Sequence, residues 1–393
     1  MRVLLTAALA VFLALGASAQ TIPAKGTEAT FDIASWNVEN FGQGSGAATE
    51  RANVAAVIRQ ADIDLWALQE VVDPRDFVDL VDDLRGDGYN GVLGPDPGGG
   101  GQRLAYIYNE SVVTLVAART IPDFNGDSFA FAGRIPYEFR ASVTVGGETR
   151  SIRFINIHAK AFSDAASYNR RVDAANALKD YLDPLEDQGL AIVLLGDYND
   201  RLNQSTRSGF LSPYRPFFVR EDEYTFATRS LDPDGVTFCS NSSCTSGSPI
   251  DHIMFTSALT AEYEAGSGEA FAELASAIPS YRSTTADHLP VLARFAFRST
   301  SAEADPEAGL ALRPPAPSPF REATALRFRL DAPADVRLDV LDVLGRRVAS
   351  VTGAYGAGEH AVSLDGAALA PGLYVVRLAA GGAVRTRTLV RSR

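Results

Sequence analysis

A carboxylate and a carboxamide stand two residues apart in Gly196-Asp197-Tyr198-Asn199, directly after the apolar run Ala191 to Leu195. A run of that kind with no polar alternation predicts a strand buried on both faces, and extended geometry would turn Asp197 and Asn199 to the same side at its end. Held rigidly, such a pair could steady a cation or a water with one group and a phosphoryl oxygen with the other. Polar groups recur at the ends of other apolar stretches: Asn37 and Glu39, Glu70, His158, Asp251, and Asp287 with His288. Each alone has an ordinary explanation as a turn, a cap or a solvated strand end. The chain has only four histidines, however, and His158, His252 and His288 all fall in these stretches. One rim of a single fold is therefore expected to gather them.

Periodicity predicts the elements that must do the positioning. Thr30 to Val38 reads as a strand ending in Glu39-Asn40-Phe41, residues 51–61 as a short helix, and Asp64 to Leu68 as a strand ending in Gln69-Glu70-Val71. Phe77, Leu80, Val81 and Leu84 fall at helical spacing, and Ala105 to Tyr108 forms another strand. Phe139–Val145 and Ser151–Ile157 make a hairpin around Gly146-Gly147 that delivers Asn156 and His158. A helix over 166–183, a strand at Ile250–Phe255, a short helix near 269–277 and a strand at Val291–Phe297 complete this part. The Gly-rich piece Gly94–Gly101 lacks the Lys-Ser/Thr of a phosphate-cradling loop. Interleaved helices and strands with antiparallel neighbours predict an α+β fold, a mixed sheet system covered by helices. Residues 299–319, rich in Pro, Ser and Ala, read as a linker. Beyond it, the alternation of Leu326, Phe328, Leu330 and of Val336, Leu338, Val340 predicts a small all-β sandwich over 320–393.

Arg2, the apolar run Val3–Leu15 and the small residues Ala17-Ser18-Ala19 have the layout of a secretory signal, so residues 1–19 are expected to be removed on export and 20–298 to form the main domain. No other apolar run is long enough for a transmembrane segment, and a monomer is expected. Residues 305–393 carry 12 Arg against nine acidic residues, a net of +3, which leaves 24 basic and 39 acidic residues, a net of −15, on residues 1–304. So acidic a domain has no general electrostatic grip on nucleic acid and would need local arginines or bound cations to hold a polyanion. Cys239 and Cys244, the only cysteines, predict a small-loop disulfide in an exported chain.

Taken in order, Ser35-Trp36-Asn37-Val38-Glu39, Leu68-Gln69-Glu70-Val71, Asn156-Ile157-His158, Gly196-Asp197-Tyr198-Asn199, Ile250-Asp251-His252-Ile253 and Ala286-Asp287-His288-Leu289-Pro290-Val291 resemble the endonuclease/exonuclease/phosphatase superfamily over about residues 29–298. The resemblance implies a deoxyribonuclease I-like, four-layered α/β/β/α sandwich with the site at one rim. It implies phosphodiester cleavage by metal-assisted water attack. Glu70 would be the main ligand of Mg²⁺ or Mn²⁺, helped by Asn37, Glu39 and Asp287. His288 would be the general base, with Asp251 fixing its tautomer. Asp197 and Asn199 would orient the water and a phosphate oxygen, and His158 would protonate or stabilise the departing oxygen. Arg134 resembles a phosphate-contacting arginine; Arg103 and Tyr106, and after them Lys160, are further substrate-binding candidates. His252 reads as packing beside Asp251.

His158 and Ser248-Pro249-Ile250-Asp251-His252-Ile253 favour a deoxyribonuclease-like or sphingomyelinase-like branch, and the tryptophan-cysteine-aspartate-arginine signature of inositol-polyphosphate 5-phosphatases is absent. Export favours nucleic acid as substrate; a lipid phosphodiesterase is the alternative and would need an apolar insertion, for which Phe129-Ala130-Phe131 or Pro216-Phe217-Phe218 could serve, though core packing is the favoured reading of both. A non-catalytic secreted binding protein would require a broken catalytic position, and none is found. In the tail, Pro315-Ala316-Pro317-Ser318-Pro319-Phe320, Asp342-Val343-Leu344-Gly345-Arg346, Tyr355-Gly356-Ala357-Gly358-Glu359-His360 and Leu369-Ala370-Pro371-Gly372-Leu373-Tyr374 resemble the sorting domain of the type IX secretion pathway. That implies the outer-membrane secretion machinery as a partner, and a secreted or cell-surface location.

Overall fold

The computed structural model describes residues 21–393 apart from 45, 99–100, 219–222, 298–309, 314, 343–345, 368, 382 and 393. The expected signal peptide (1–19) and residues 299–309 of the expected linker therefore lie outside the described residues. The chain divides into two compact units at 298/299.

The first unit contains, in chain order, β1 (Phe31–Phe41), α1 (Ala47–Ala61), β2 (Leu65–Val71), α2 (Pro74–Arg85), β3 (Tyr89–Leu93), β4 (Arg103–Asn109), β5 (Val113–Thr120), β6 (Tyr137–Val145), β7 (Glu148–His158), α3 (Ala165–Glu186) and β8 (Ile192–Asp197). After them come α4 (Arg215–Phe218), β9 (Tyr224–Phe226), β10 (Phe238–Cys239), β11 (Gly247–Ser248), β12 (Asp251–Thr256), β13 (Glu269–Ala270), α5 (Leu274–Ala277), α6 (Tyr281–Thr284) and β14 (Val291–Phe295). One six-stranded sheet runs β13-β14-β1-β2-β4-β3 and the other β5-β6-β7-β8-β12-β9.

Residue parity explains the layers. Along β1, Phe31 and Ile33 point into a central layer shared by both sheets, where Phe139, Phe154, Val193, Leu195 and Ile253 meet them. Ala34, Trp36 and Val38 point the other way, onto α1 and α2. On the far side Ile155, Ile157 and Leu194 receive Ala174, Leu178 and Leu182 of α3. Strands with both faces covered must be apolar throughout, which is what the unbroken runs signalled. Each large side chain buried in this way contributes roughly 1.5–3 kcal/mol. The helices are stopped and started locally: Asp73 caps α2 by accepting from Arg75 N, and Asp164 caps α3 by accepting from Ala166 N and Ser167 N. The result is the four-layered α/β/β/α arrangement.

Some expectations change. The helix near 269–277 shrinks to α5, because Glu269 and Ala270 pair with Leu292 and Val291 at the edge of the first sheet. Strands β3 and β5 had no clear signal: Asn90-Gly91 interrupts the one, and the other lies at a sheet edge with Val116 exposed. Helix α3 runs on through Pro184 to Glu186.

The second unit is all-β. Strands β15 (Leu310–Leu312), β16 (Ala323–Leu330) and β19 (Gly358–Asp365) form one antiparallel sheet; β17 (Ala334–Asp342), β18 (Arg347–Tyr355), β20 (Gly372–Ala380) and β21 (Ala383–Arg391) form the other. Leu326, Phe328, Leu330, Val336, Leu338 and Val340 fill its core together with Val376 and Leu378. Leu310–Leu312 was expected in the linker; its pairing with Leu330–Phe328 places it in the sandwich.

Candidate active site

The inward-facing rows of the central layer end in polar groups at one rim. On β8 the row Val193, Leu195 continues to Asp197; on β7 Phe154 leads to Asn156 and His158; on β12 Ile253 leads back to Asp251. Register then aligns them, since His158 pairs with Asp197 across the parallel β7/β8 contact and Asp251 pairs with Asp197 across the antiparallel β8/β12 contact. From the facing sheet β1 brings Asn37 in register with Gln69 of β2, and β14 opens at Val291, just after Asp287 and His288. Strict alternation would turn Glu70 toward the helices. Its backbone is left-handed instead (φ 63°), within a bulge of the β2/β4 pairing, and the carboxylate swings to the rim. Glu39, Asn40 and Asn199 are also left-handed, with φ of 43°, 52° and 51°. Backbone of this kind costs on the order of 1–3 kcal/mol per residue and is retained where surrounding contacts over-determine it.

Those contacts form one network. Asn37 Nδ2 donates to Glu70 Oε1 and to Asp197 Oδ2, both at 3.1 Å, tying the two sheets together at the rim. Asn37 Oδ1 accepts from Glu39 N at 3.0 Å, so its orientation is fixed by both ends of the amide. Glu70 Oε2 accepts from Asn40 N at 3.0 Å. His158 Nε2 lies 3.5 Å from Glu70 Oε1 and 3.6 Å from Asp197 Oδ2. Asn199 does not continue the strand as expected; it folds back, its N–H 2.8 Å from Asp197 Oδ1 and its Nδ2 3.1 Å from Asp197 Oδ2. His288 Nδ1 is 2.8 Å from Asp251 Oδ2, leaving Nε2 to face Asp197 Oδ2 at 4.0 Å and Asp287 Oδ1 at 3.8 Å. Glu39, Glu70, His158, Asp197, Asn199, Asp287 and His288 line one cavity of about 930 Å³.

Electrostatics sort the two histidines. Burial opposes a charge on His288, but Asp251, Asp197 and Asp287 together push its pKa up to about 10. Burial, followed by the charges of Arg134 and His288, holds His158 well below its ordinary value in spite of the two carboxylates beside it. His158 thus favours its neutral form, with Nε2 toward the two carboxylates and Nδ1 buried without a hydrogen-bond partner. Burial and then Asp287 push Glu39 up to about 7, and burial and then Asp251 push Asp197 up to about 7.

Crowded carboxylates of this kind are the donor set of a hard divalent cation. One candidate grouping is Asp197, Asp251 and His288, whose nearest ligand atoms lie within 4.8 Å of one another. Asp251 is already bonded to His288, so the oxygens turned to the cavity are those of Glu39, Glu70, Asp197 and Asp287. After Asp251, two of these residues, Asp197 and Asp287, help to keep the proton on His288, and a cation that offset their charge would lower that pKa. Asn37, expected as a ligand, accepts from Glu39 N with one lone pair of its oxygen and donates to both carboxylates through its NH₂.

Two substrate-binding candidates lie elsewhere. Tyr106 is fully buried between the sheets and donates to Tyr137 O at 3.0 Å. Arg103 donates to Val72 O at 2.7 Å and pairs with Asp96, lining a side cavity apart from the carboxylates. Arg134 does line the main cavity, but its guanidinium holds the end of β7, donating to His158 O at 3.1 Å, Ala159 O at 2.9 Å and Gln102 Oε1 at 2.7 Å. His252 faces away and packs on Tyr198, with burial lowering its pKa to about 4.

Sequence reading missed Phe238, whose ring packs edge-on at 5.3 Å from His288, and the inter-sheet bond from Gln69 Nε2 to Asn156 Oδ1 at 2.8 Å. The parity of Gln69 and Asn156 with the inward rows is the one signal that pointed to them.

Residues 34–288 match the endonuclease/exonuclease/phosphatase family, and residues 316–392 match the secretion system C-terminal sorting domain. No curated protein matches the chain. Among solved structures, an endonuclease/exonuclease/phosphatase from Beutenbergia cavernae is 17% identical with a TM-score of 0.50, the match covering 92% of this chain and 100% of that one. The 3′–5′ exonuclease of Neisseria meningitidis is 19% identical with a TM-score of 0.49, covering 68% of this chain and 100% of its own. The first of these similarities, with the family match, carries the fold. With its rim of carboxylates and histidines on two facing sheets, the chain belongs to the endonuclease/exonuclease/phosphatase family and carries a C-terminal sorting domain that marks it for secretion.

Proposed function

We propose that the protein is a secreted, divalent-metal-dependent phosphodiesterase that hydrolyses DNA or RNA. The observation that carries the reading is the Asp251–His288 pair at 2.8 Å, its free Nε2 turned to the cavity where Glu70 and Asp197 share one amide nitrogen. His288 Nε2 takes the proton of a water as its oxygen attacks phosphorus, while Asp251 holds the tautomer and stabilises the imidazolium. Asp197 and Asn199 orient that water and a non-bridging oxygen. The P–O bond to the departing group then breaks with its electron pair passing to the leaving oxygen; the His158 N–H gives that oxygen a hydrogen bond, and solvent water supplies its proton. Glu70, with Glu39 and Asp287, would hold a Mg²⁺ or Mn²⁺ ion, which supplies Lewis-acid stabilisation of the developing charge. Arg134 positions the β7 end and fronts the same cavity. The tail would engage the outer-membrane machinery of type IX secretion.

The second reading is a sphingomyelinase-like enzyme, favoured by Phe129 and Phe162, which are 72% and 73% exposed. Phe131 and Phe217, which that reading would need in an insertion, are core residues. Parallel assays on plasmid DNA, RNA and sphingomyelin vesicles, with Mg²⁺, Mn²⁺ or EDTA, test both. Metal-dependent cleavage of a polynucleotide is expected; turnover confined to the lipid, or full activity in EDTA, would end the nuclease reading.

A further inference from the structure

Beside the carboxylates the same cavity is walled by a different chemistry. Phe162 lines it with its ring largely in solvent, and its backbone sits at φ 79°, a conformation rare for a bulky residue. The strain is imposed from below. Arg171, fully buried, donates through Nη1 to Lys160 O and Phe162 O, both at 2.7 Å, and through Nε to Asp200 Oδ2 at 2.9 Å. Asp200 in turn accepts from Ser205 Oγ at 2.8 Å and Thr206 N at 2.5 Å, so the loop before α3 and the loop after β8 are clamped as one body.

Three exposed rings stand on this clamp and along its edge, each with a cation over one face. Lys160 Nζ lies 4.4 Å from the Phe162 ring centre, the Arg170 guanidinium 4.1 Å from Phe129, and the Arg207 guanidinium 4.5 Å from Phe210. Arg170 is further fixed to Phe129 O at 2.7 Å, and Phe210 packs on Tyr168 at 5.0 Å. Among the described residues no carboxylate lies within ion-pair distance of Lys160, Arg170 or Arg207, in a chain of net charge −12. Lys160, Phe162 and Arg170 line the same cavity as Glu70 and Asp197, so unpaired positive charge stands beside its carboxylates.

We infer that Phe162, with the Phe129–Arg170 and Phe210–Arg207 pairs, is a stacking ledge for unpaired bases, and that the substrate is single-stranded nucleic acid. This rests on the nuclease reading above. A ring capped by a cation on one side offers its other face to a base, and the cation takes the neighbouring phosphate. A duplex keeps its base faces stacked inside and gives these rings nothing to hold. A membrane is the poorer occupant, because burying each ring in lipid would drag its cation with it. The clamp pre-orders the ledge, so little ordering cost falls on binding.

The test is fluorescence anisotropy in EDTA with a short labelled single-stranded oligonucleotide, the matching blunt duplex, and sphingomyelin vesicles, on the wild type, Phe162→Ala and Phe162→Trp. Separately, metal-dependent hydrolysis of bis(p-nitrophenyl) phosphate by the wild type tests the parent reading. The single strand is expected to bind more tightly than the duplex. Phe162→Ala should weaken single-strand binding about 5- to 150-fold, the range that ~1–3 kcal/mol of stacking represents, and Phe162→Trp should restore it. Equal binding of strand and duplex, or no change in Phe162→Ala, overturns the ledge while diester hydrolysis stands. A loss confined to vesicles overturns it in favour of a lipid surface. Absence of diester hydrolysis sinks the nuclease reading, and the ledge with it.

Discussion

Asp251→Asn is the sharpest probe of the site, because it removes one charge and leaves every volume in place. Asp251 is fully buried and its Oδ2 is 2.8 Å from His288 Nδ1. A charge-assisted bond of this type is worth about 1.5–3 kcal/mol. The substituted amide can also donate to Nδ1, which forces the proton onto Nε2, the atom that must accept from water. Asp251 is the chief neighbour opposing burial in raising the His288 pKa to about 10, so the imidazolium formed during reaction loses its main support as well. Together these effects should lower kcat by about 10³–10⁴, or ~4–5.5 kcal/mol, with KM nearly unchanged. The melting temperature should fall, since one partner of a buried, hydrogen-bonded pair has lost its charge. Steady-state kinetics on the best polynucleotide substrate measures the split, and the double variant Asp251→Asn/His288→Ala should be no slower than His288→Ala alone, because the pair acts as a unit. Wild-type kcat in Asp251→Asn, or fully additive losses, would refute the base assignment.

Three further outcomes are expected. Glu70→Gln should cost about 3–5 decades of turnover and abolish any thermal stabilisation by Mn²⁺, read by calorimetry with and without metal; a preserved metal shift would move the ion elsewhere. Asp32 and Asp64, a buried pair at the far end of β1, have pKa values pushed by burial up to about 6 and about 7. The folded state thus keeps protons that the unfolded chain gives up, and stability should fall as pH rises from about 4 to 7. Asp64→Asn keeps the acceptor for Asp32 N and should flatten that slope, raising the melting temperature at pH 7 by several degrees; parallel curves for variant and wild type would exclude the pair as the source. Deleting residues 315–393 should leave the enzyme in the periplasm by cell fractionation, and unaltered export would deny the tail its sorting role.

The layers were legible because their cause is local. A strand covered on both faces has to be apolar throughout, and β8 and β12 announce themselves that way. The polar rim was legible for a related reason, since polar residues at the end of an apolar run have few places to go but the edge of the sheet. What stayed hidden depends on pairing across long separations. Nothing near Tyr106 tells that its parity sends it between the sheets, and nothing near Arg103 foretells Asp96 and Val72 O as its partners. Asn199 misled because a two-residue rule was extended past the end of the strand, where the side chain of Asp197 captures the backbone instead. Phe162 gave no periodic signal at all, being held by an arginine nine residues later in sequence.

Cys239 and Cys244 form a disulfide in the turn that carries Phe238 against His288, and Cys239 N donates to Asp287 O at 2.7 Å. Such bonds persist where the surroundings are oxidising. On the proposed function, the clasp on His288 would therefore be fastened only in the oxidising surroundings met on the outward journey that the C-terminal domain directs.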